Sequence, residues 1–284
     1  MKTPYSVWKQ YCVPHHAFSA FGGLLSQSQI PWLKNYLIQW FLKRYPVNLS
    51  EALQPDPSAY PSYHEFFIRK LKANARPVDH TPTHFCSPCD ATISQIGQID
   101  NSALIQAKDQ TYSVGALLGN AEEAALFSKG SYATLYLAPI DYHRVHMPFS
   151  GTLQSLRYIP GRLFSVNPIT TRHIDNLFTR NERVVAVFKN EETQRHFALV
   201  LVGAMIVGNI YTNFNGKIPH RSKNIRTIDP STLPETLCHL EKGEEMGYFS
   251  LGSTVIVLTE DAIQWEKEVK INSKLKFGES MGKF

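Results

Sequence analysis

The hydrophobic and polar positions predict a helix near the N-terminus, over residues 30–45. The segment IPWLKNYLIQWFLKRY begins its helix at Pro31, a favoured first-turn residue, and the next proline, Pro46, stops it. A narrow polar stripe recurs every four residues, at Asn35, Gln39 and Lys43. The rest of the circumference is apolar and aromatic, so this helix must bury most of its surface.

The apolar face of this helix admits two explanations. It consists of Trp32, Leu33, Tyr36, Leu37, Trp40 and Phe41. It can pack against the protein's own core or a second subunit. It can also insert into a membrane interface, where Trp and Tyr are favoured and the charge of Lys34 can reach the water.

Beyond a proline-rich connector at residues 54–63 the pattern becomes β-rich. Short helices are predicted around residues 64–73 and 114–127. Short β-type runs, divided by Gly, Pro and Asn, lie at 91–99, 132–140, 151–158, 184–188, 197–210 and 253–258. The pattern predicts an α+β fold, with a β-rich core of short antiparallel strands of lipoyl-like (barrel-sandwich) texture behind an amphipathic N-terminal helical segment. We place the boundary between an N-terminal segment, 1–63, and a β-rich domain, 64–284.

Composition and charge narrow the class of protein. A chain of 284 residues with 43% apolar and 19% charged residues buries a core, which excludes a disordered or fibrous protein. No apolar run reaches the roughly 18 residues that span a bilayer, and the N-terminus lacks the apolar stretch of a secretory signal, so we expect a cytoplasmic protein. The four cysteines are too few and too scattered for a disulfide framework.

The net charge of +5 is concentrated in the first fifty residues. That segment has no acidic residue and five basic ones, Lys2, Lys9, Lys34, Lys43 and Arg44. Such an asymmetry indicates an anionic partner, either nucleic acid or a lipid headgroup layer.

Two short motifs suggest chemistry without defining it. Cys86 and Cys89 have CxxC spacing, but the chain continues into a β-type run rather than a helix, and no second ligand pair follows, so two buried structural cysteines are favoured over a redox or zinc site. His143 and His146 lie three apart in a tight turn after an apolar strand. Zinc ligation lacks a third ligand, so local structure or general acid-base chemistry is favoured and no metal is expected.

A third motif completes a possible catalytic set. Gly252 and Ser253 stand directly before a β-branched run, which by itself is common turn chemistry. Together with Asp90 and His146, however, Ser253 supplies the nucleophile of an orienter, base and nucleophile arrangement.

These segments together resemble the phosphatidylserine decarboxylase family, pyruvoyl-dependent lipid enzymes, in its bacterial form. The resemblance runs from the first helix to Phe277 and rests on FFIRKLKANARPVD, SPCDATISQIGQI, DYHRVHMPFSGTL, LFSVNP, NERV, VGAMIVGNI, KGEEMGYF and LGST, in that order. Two departures concern turn shape rather than the reaction: Ala91 stands where the family usually has Gly, and Asp109-Gln110 follows Lys108 where Lys-Gly is more usual.

The resemblance implies a self-made cofactor. Ser253 would attack the carbonyl of Gly252 and cut the chain into residues 1–252 and 253–284, and Ser253 would become a pyruvoyl group. His146 would be the base, with Asp90 fixing its tautomer. The pyruvoyl carbonyl would then form a Schiff base with phosphatidylserine, which loses carbon dioxide to give phosphatidylethanolamine, and His143 is the candidate proton donor. No pyridoxal phosphate is required.

The resemblance also implies where the protein acts. We expect a peripheral protein on the cytoplasmic side of the cell membrane, a homodimer of the processed pair, and no nucleic-acid partner. Two other functions stay open on the sequence alone: a Ser-His-Asp lipid hydrolase, although Ser253 lacks the usual GxSxG setting, and a lipoyl-like binding module, which would not need both histidines.

Overall fold

The structure is a computed structural model that describes residues 4–107, 110–205, 210–214, 216–217, 224–250 and 253–284. Its α-helices are α1 (Tyr5–Cys12), α2 (His15–Ser26), α3 (Pro31–Arg44), α4 (Tyr63–Phe67), α5 (Val114–Leu118), α6 (Ala121–Leu126), α7 (Pro168–Thr171), α8 (Leu177–Arg180) and α9 (Glu235–Cys238). Short 3-10 turns lie at Leu49–Glu51, Pro57–Ala59 and Pro230–Thr232. None of the helices described in these ranges is long and apolar enough to cross a membrane.

The strands are short. In chain order they are β1 (His84–Cys86), β2 (Ala91–Gln98), β3 (Ala103–Ala107), β4 (Gln110–Ser113), β5 (Ser131–Leu137), β6 (Arg144–His146), β7 (Gly151–Ile159), β8 (Arg183–Lys189), β9 (His196–Val202), β10 (Ile210–Thr212), β11 (Gly216–Lys217), β12 (Arg226–Ile228), β13 (His239–Leu240), β14 (Glu245–Phe249), β15 (Ser253–Thr259), β16 (Gln264–Trp265), β17 (Lys274–Leu275) and β18 (Ser280–Lys283).

A nine-stranded antiparallel sheet forms the centre of the molecule. Its order is β12, β7, β8, β9, β15, β5, β2 and β17, and β13 also pairs with β7. β15 lies between β9 and β5, and its residues Val255, Ile256, Val257 and Leu258 are fully buried. A second sheet, in the order β11, β10, β14 and β6, carries the histidine segment. The predicted α+β fold with antiparallel strands is confirmed, and no closed barrel forms within the described ranges.

Three predicted elements differ from the observed ones. The helix predicted at 114–127 is two helices, because Gly119 takes a left-handed conformation (φ 66°) and the Asn120 side chain caps α6. The run 197–210 splits where β9 ends at Val202 and β10 begins at Ile210. The helix predicted at 64–73 ends at Phe67, since Leu71 instead pairs with Ala52, which precedes the connector.

The N-terminal part contains three helices, of which only α3 was predicted. Its start at Pro31 is confirmed. One face of α3 packs into a separate aromatic cluster, consisting of Ile38, Phe41, Tyr60, Tyr63, Phe66, Phe67 and Ile68. The ring of Phe41 lies 4.7 to 5.9 Å from the rings of Tyr45, Tyr63, Phe66 and Phe67.

The predicted membrane face of α3 therefore needs correction at Phe41. Phe41 is only 2% exposed, so it serves the protein's interior rather than a lipid surface. Leu33 and Leu37 are half-buried. Trp32, Tyr36 and Trp40, which recur every four residues, are 71%, 64% and 54% exposed and form the outer stripe of the helix.

Candidate active site

His146 is held by backbone on one side and offers its other ring nitrogen. It ends β6, and its backbone N–H donates to the carbonyl of Pro88 at 2.8 Å. Its Nδ1 lies 2.9 Å from the carbonyl oxygen of Gly243, which can only accept, so Nδ1 carries the hydrogen. Nε2 is then the basic nitrogen, and the hydroxyl of Tyr142 donates to it over 3.3 Å. This tautomer suits a base that acts through Nε2.

The imidazole of His146 is buried under an aromatic ring. The ring of Phe277 stacks on it, with centroids 3.7 Å apart and planes inclined by 15°. Burial lowers the pKa of His146, and the Gly243 carbonyl, with the charges of Glu245 and Asp90, partly opposes this. The residue is therefore neutral, and able to accept a proton, at neutral pH.

Asp90 does not touch His146. Its carboxylate accepts from Arg76 Nε at 3.0 and 3.1 Å and from Arg76 Nη2 at 2.7 Å, and its Oδ1 accepts the backbone N–H of Phe277 at 2.9 Å. No hydrogen bond joins Asp90 to His146 among the described residues. In this structure the Gly243 carbonyl, not Asp90, selects the tautomer. Asp90 acts on the imidazole through its negative charge. It also binds the backbone N–H of Phe277, whose ring stacks on His146.

His143 directly precedes β6, so the two histidines do not share the tight turn predicted from the sequence, and His143 lies in a drier environment. It is fully buried, and the ring of Phe67 lies 4.3 Å away, centroid to centroid. Its Nδ1 donates to the carbonyl oxygen of Asp141 at 2.8 Å, and its Nε2 is without a partner among the residues described. Burial lowers the pKa of His143 to about 3. Nε2 is thus an unprotonated acceptor.

Ser253 is the first residue of the central strand β15. It pairs with Leu137, the last residue of β5, after which the chain runs directly into the histidine turn. The serine is fully buried, and its Oγ has no hydrogen-bond partner within the described part of the chain. The other half of the predicted cleavage site, Gly252, lies outside the described residues. No described hydrogen bond links Ser253 to either histidine.

A small cavity of about 160 Å³ lies beside this turn. It is lined by Pro46, Asn48, Glu51, Arg69, Leu71, Arg76, Asp90, Ile140, Asp141 and Tyr142. The Asp141 carboxylate accepts the backbone N–H of Ala138 at 2.7 Å, and burial raises the pKa of Asp141 to about 6. Because its lining includes both Asp90 and Asp141, two residues before His143, the cavity adjoins both parts of the site.

The cysteine motif has no catalytic environment. Cys86 and Cys89 are buried free thiols, and burial raises the pKa of Cys86 to about 11 and that of Cys89 well above its usual value. Reactive thiols have lowered values, so these two are structural. In the described ranges no three His, Cys, Asp or Glu side chains are grouped to hold a metal ion.

Sequence reasoning missed several residues that shape the site: Arg76, Tyr142, Gly243 and Phe277. Arg76 and Tyr142 stand inside quoted motifs but show no pattern that assigns them a partner. Gly243 acts through a backbone carbonyl, which leaves no signal in a sequence. Phe277 reaches His146 only because β17 and its following turn lie against β2.

A buried serine at the head of a central antiparallel strand and two neutral histidines in the segment that follows the neighbouring strand β5 are the groups that nucleophilic chemistry on a serine uses. The chain belongs to the phosphatidylserine decarboxylase family. The sequence profile of that family matches residues 63–283, and a second profile, described as PSD, matches residues 5–46.

The curated relatives have the same description. The chain is 45% identical to the phosphatidylserine decarboxylase proenzyme of Stutzerimonas stutzeri over 284 residues, covering 99% of this chain and 95% of that protein. It is 44% identical to the proenzyme of the same name from Pseudomonas fluorescens, with 99% and 98% covered. The proenzyme of Bordetella pertussis is 46% identical, with 96% and 92% covered.

Proposed function

We propose that this chain is a proenzyme that cuts itself between Gly252 and Ser253 and then converts phosphatidylserine to phosphatidylethanolamine. The observation that carries the proposal is the Oγ of Ser253, a buried nucleophile without a described partner at the start of β15. The relatives that this chain matches over nearly their whole length are named proenzymes, which supports a precursor that is processed. A hydrolase or a binding module has no such support.

The self-cleavage begins with proton transfer. His146 Nε2 takes the hydrogen of Ser253 Oγ, which attacks the carbonyl carbon of Gly252 and replaces the peptide bond by an ester. The ester then eliminates, and hydrolysis of the new N-terminal residue releases ammonia and leaves a pyruvoyl group. The neutral imidazole, its hydrogen on Nδ1 and its lone pair on Nε2, is the form that this step needs.

The two products stay together in this proposal. The cut precedes the first paired residue of β15, so the pairs from Ser253 to Leu258 with β5 and those from Thr254 to Thr259 with β9 survive it. The small chain of residues 253–284 also contains Phe277, so it continues to cover His146 of the large chain.

Decarboxylation draws on different groups. When formed, the pyruvoyl group supplies a carbonyl that accepts the electrons left by departing carbon dioxide. The carbonyl carbon of that group would be the former Cα of Ser253 and its oxygen would come from water, because Oγ leaves in the carboxylate of Gly252; Ser253 is fully buried, which suits a group that must be shielded from solvent. His143 returns a proton to the substrate carbon. Burial lowers the pKa of His143 to about 3, so its Nε2 is unprotonated at rest and must first take a proton from water, which it then passes to the substrate carbon.

We place the enzyme on the cytoplasmic surface of the cell membrane as a peripheral protein. Eleven large apolar side chains between residues 5 and 40 are exposed: Tyr5, Trp8, Tyr11, Phe18, Phe21, Leu24, Leu25, Ile30, Trp32, Tyr36 and Trp40. An exposed apolar set of this size, with Lys9, Lys43 and Arg44 and no acidic residue among the first fifty positions, suits an anionic lipid surface. Compared with the membrane-binding residues predicted from the sequence, the proposed membrane surface therefore leaves out Phe41 and includes exposed residues of α1 and α2.

Intact-mass spectrometry and lipid analysis test the proposal together. Purified protein should give a small chain of 32 residues (284 − 252), blocked at its N-terminus, and should convert phosphatidylserine in vesicles. The control Ser253→Ala should stay one chain and form no product. Wild-type protein that stays uncut after long incubation contradicts the proposal. Light scattering on the processed protein tests the expected homodimer.

A further inference from the structure

A basic depression lies near the N-terminus of α2. None of the residues that line it is assigned to the proposed reaction. It has a volume of about 440 Å³ and is lined by His16, Gly161, Arg162 and Arg180. No acidic side chain lines it, and neither arginine has a carboxylate partner among the residues that the structure describes. Its two guanidinium groups are therefore uncompensated.

The fold holds one of these guanidinium groups in place. The guanidinium carbon of Arg180 lies 5.0 Å from the ring centroid of Phe164 and 5.8 Å from that of Tyr11. Aromatic faces fix the plane of a guanidinium without using its N–H donors. The Nε2 of His16 lies 3.0 Å from the carbonyl oxygen of Gly161, which ties α2 to the loop that carries Arg162.

The depression borders the exposed apolar set of the N-terminal helices. Tyr11, a member of that set whose ring centroid lies 5.8 Å from the guanidinium carbon of Arg180, is half exposed. Arginines beside an apolar face that enters a lipid surface come to lie at the depth of the phosphates. A planar guanidinium also matches the oxygens of a phosphodiester better than an ammonium does.

We propose that Arg162 and Arg180 bind the phosphodiester of an anionic phospholipid that is not the substrate, and so anchor the N-terminal helices to the membrane. This inference rests on the membrane part of the proposed function. Phosphatidylserine carries the same phosphodiester, so the experiment must separate the substrate from a bystander lipid.

The test uses vesicle sedimentation of the full chain in a Ser253→Ala background, which does not consume substrate. Arg162→Gln with Arg180→Gln is compared with Lys267→Gln and Lys270→Gln, two exposed lysines whose removal changes the net charge equally. On phosphatidylcholine vesicles containing phosphatidylglycerol, the arginine variant should partition about 30-fold (about 2 kcal/mol) more weakly. The lysine control should lose less than about threefold.

The other outcomes each count against the inference. Equal losses in the arginine and lysine variants would show general attraction rather than a site. A loss seen with phosphatidylserine but not with phosphatidylglycerol would assign the arginines to the substrate. Absence of vesicle binding by the parent chain removes the membrane proposal and this site with it. Self-cleavage and product formation are measured separately in chains with Ser253 intact, so failure of the proposed reaction stays distinguishable.

Discussion

The substitution Asp90→Asn separates two ways in which this carboxylate can serve His146. In the arrangement expected from the sequence, Asp90 fixes the imidazole tautomer, and its replacement by Asn slows a comparable protease step by ~10⁴-fold. In the structure the hydrogen on Nδ1 of His146 is bound by Gly243, 2.9 Å away. The tautomer should therefore survive the substitution.

The remaining effect on cleavage comes from the lost charge. A unit charge pair in contact at about 4 Å contributes about 4 kcal/mol at an effective dielectric constant of about 20, or ~10³-fold in rate. Asp90 makes no hydrogen bond to His146 among the described residues and acts on it through its charge, so we take this value as an upper limit and expect Asp90→Asn to slow self-cleavage by less than ~10³-fold.

Stability should fall as well. Arg76 keeps its second partner, Glu51, at 2.8 Å, but one carboxylate oxygen of Asp90 becomes an amide that cannot accept. Weakening a buried ion pair of this kind costs about 3 kcal/mol, which urea unfolding would detect.

The decisive assay is the ¹⁵N spectrum of the histidine rings in the uncut Ser253→Ala background, with and without Asp90→Asn. His146 should show a protonated Nδ1 and a free Nε2 in both. His146→Ala assigns the signals. A change of tautomer on Asp90→Asn, or a 10⁴-fold loss of cleavage in a chain that is still folded, would refute the reasoning from Gly243 and restore Asp90 as the orienting group.

Three further predictions follow from the same contacts. His143→Ala should still cut itself, as seen by intact mass, yet lose most decarboxylation; a cut variant with wild-type turnover contradicts the proton role. Because burial raises the pKa of Asp141 from its ordinary 3.8 to about 6, the folded state holds a proton that the unfolded state releases, so stability should fall as pH rises between these values. Asp141→Asn, whose amide oxygen can still accept from Ala138, should remove that loss of up to about 3 kcal/mol in urea unfolding, and an unchanged pH profile contradicts it. Trp40→Glu should weaken vesicle binding in a stable protein, whereas Phe41→Ala should cost about 3 to 5 kcal/mol of stability, and equal effects on both would show that α3 has no outer face.

Much of the sheet could be predicted because the burial of a strand directly determines the hydrophobic pattern of its sequence. β15 is a run of fully buried β-branched and aliphatic residues, and a chain of that kind forms a central strand almost wherever it lies. Helices α1 and α2 carry weak signals, since prolines precede them without a capping side chain and α2 contains Gly22 and Gly23. Periodicity alone could not separate the buried face of α3 from its exposed face. Phe41 and Trp40 are both large aromatic residues, but only Phe41 faces the protein.

The residues proposed to react could be found in the sequence only through motifs, and the groups that support them could not be predicted from the sequence at all. Ser253, His143 and His146 stand in segments whose residue types indicate chemistry. The interactions that set their protonation are a backbone carbonyl at Gly243 and a ring at Phe277, both brought in by strand pairing far along the chain. The motif pattern and the family resemblance assigned Asp90 to His146, but in the structure Arg76 binds that carboxylate through two nitrogens.

The position of Phe277 gives the proposed processing a structural consequence. His146 belongs to the large chain of the cut protein, while its stacking partner and the N–H that binds Asp90 belong to the small chain. The proposed base of the cleavage reaction, His146, is therefore covered by the small chain that the cleavage produces. Since the pairing of β15 with β5 and β9 would keep both chains in one sheet, we expect His146 to retain its burial and its tautomer after cleavage. A self-cleaving protein arranged in this way can process itself once without dismantling the site in which the second reaction takes place.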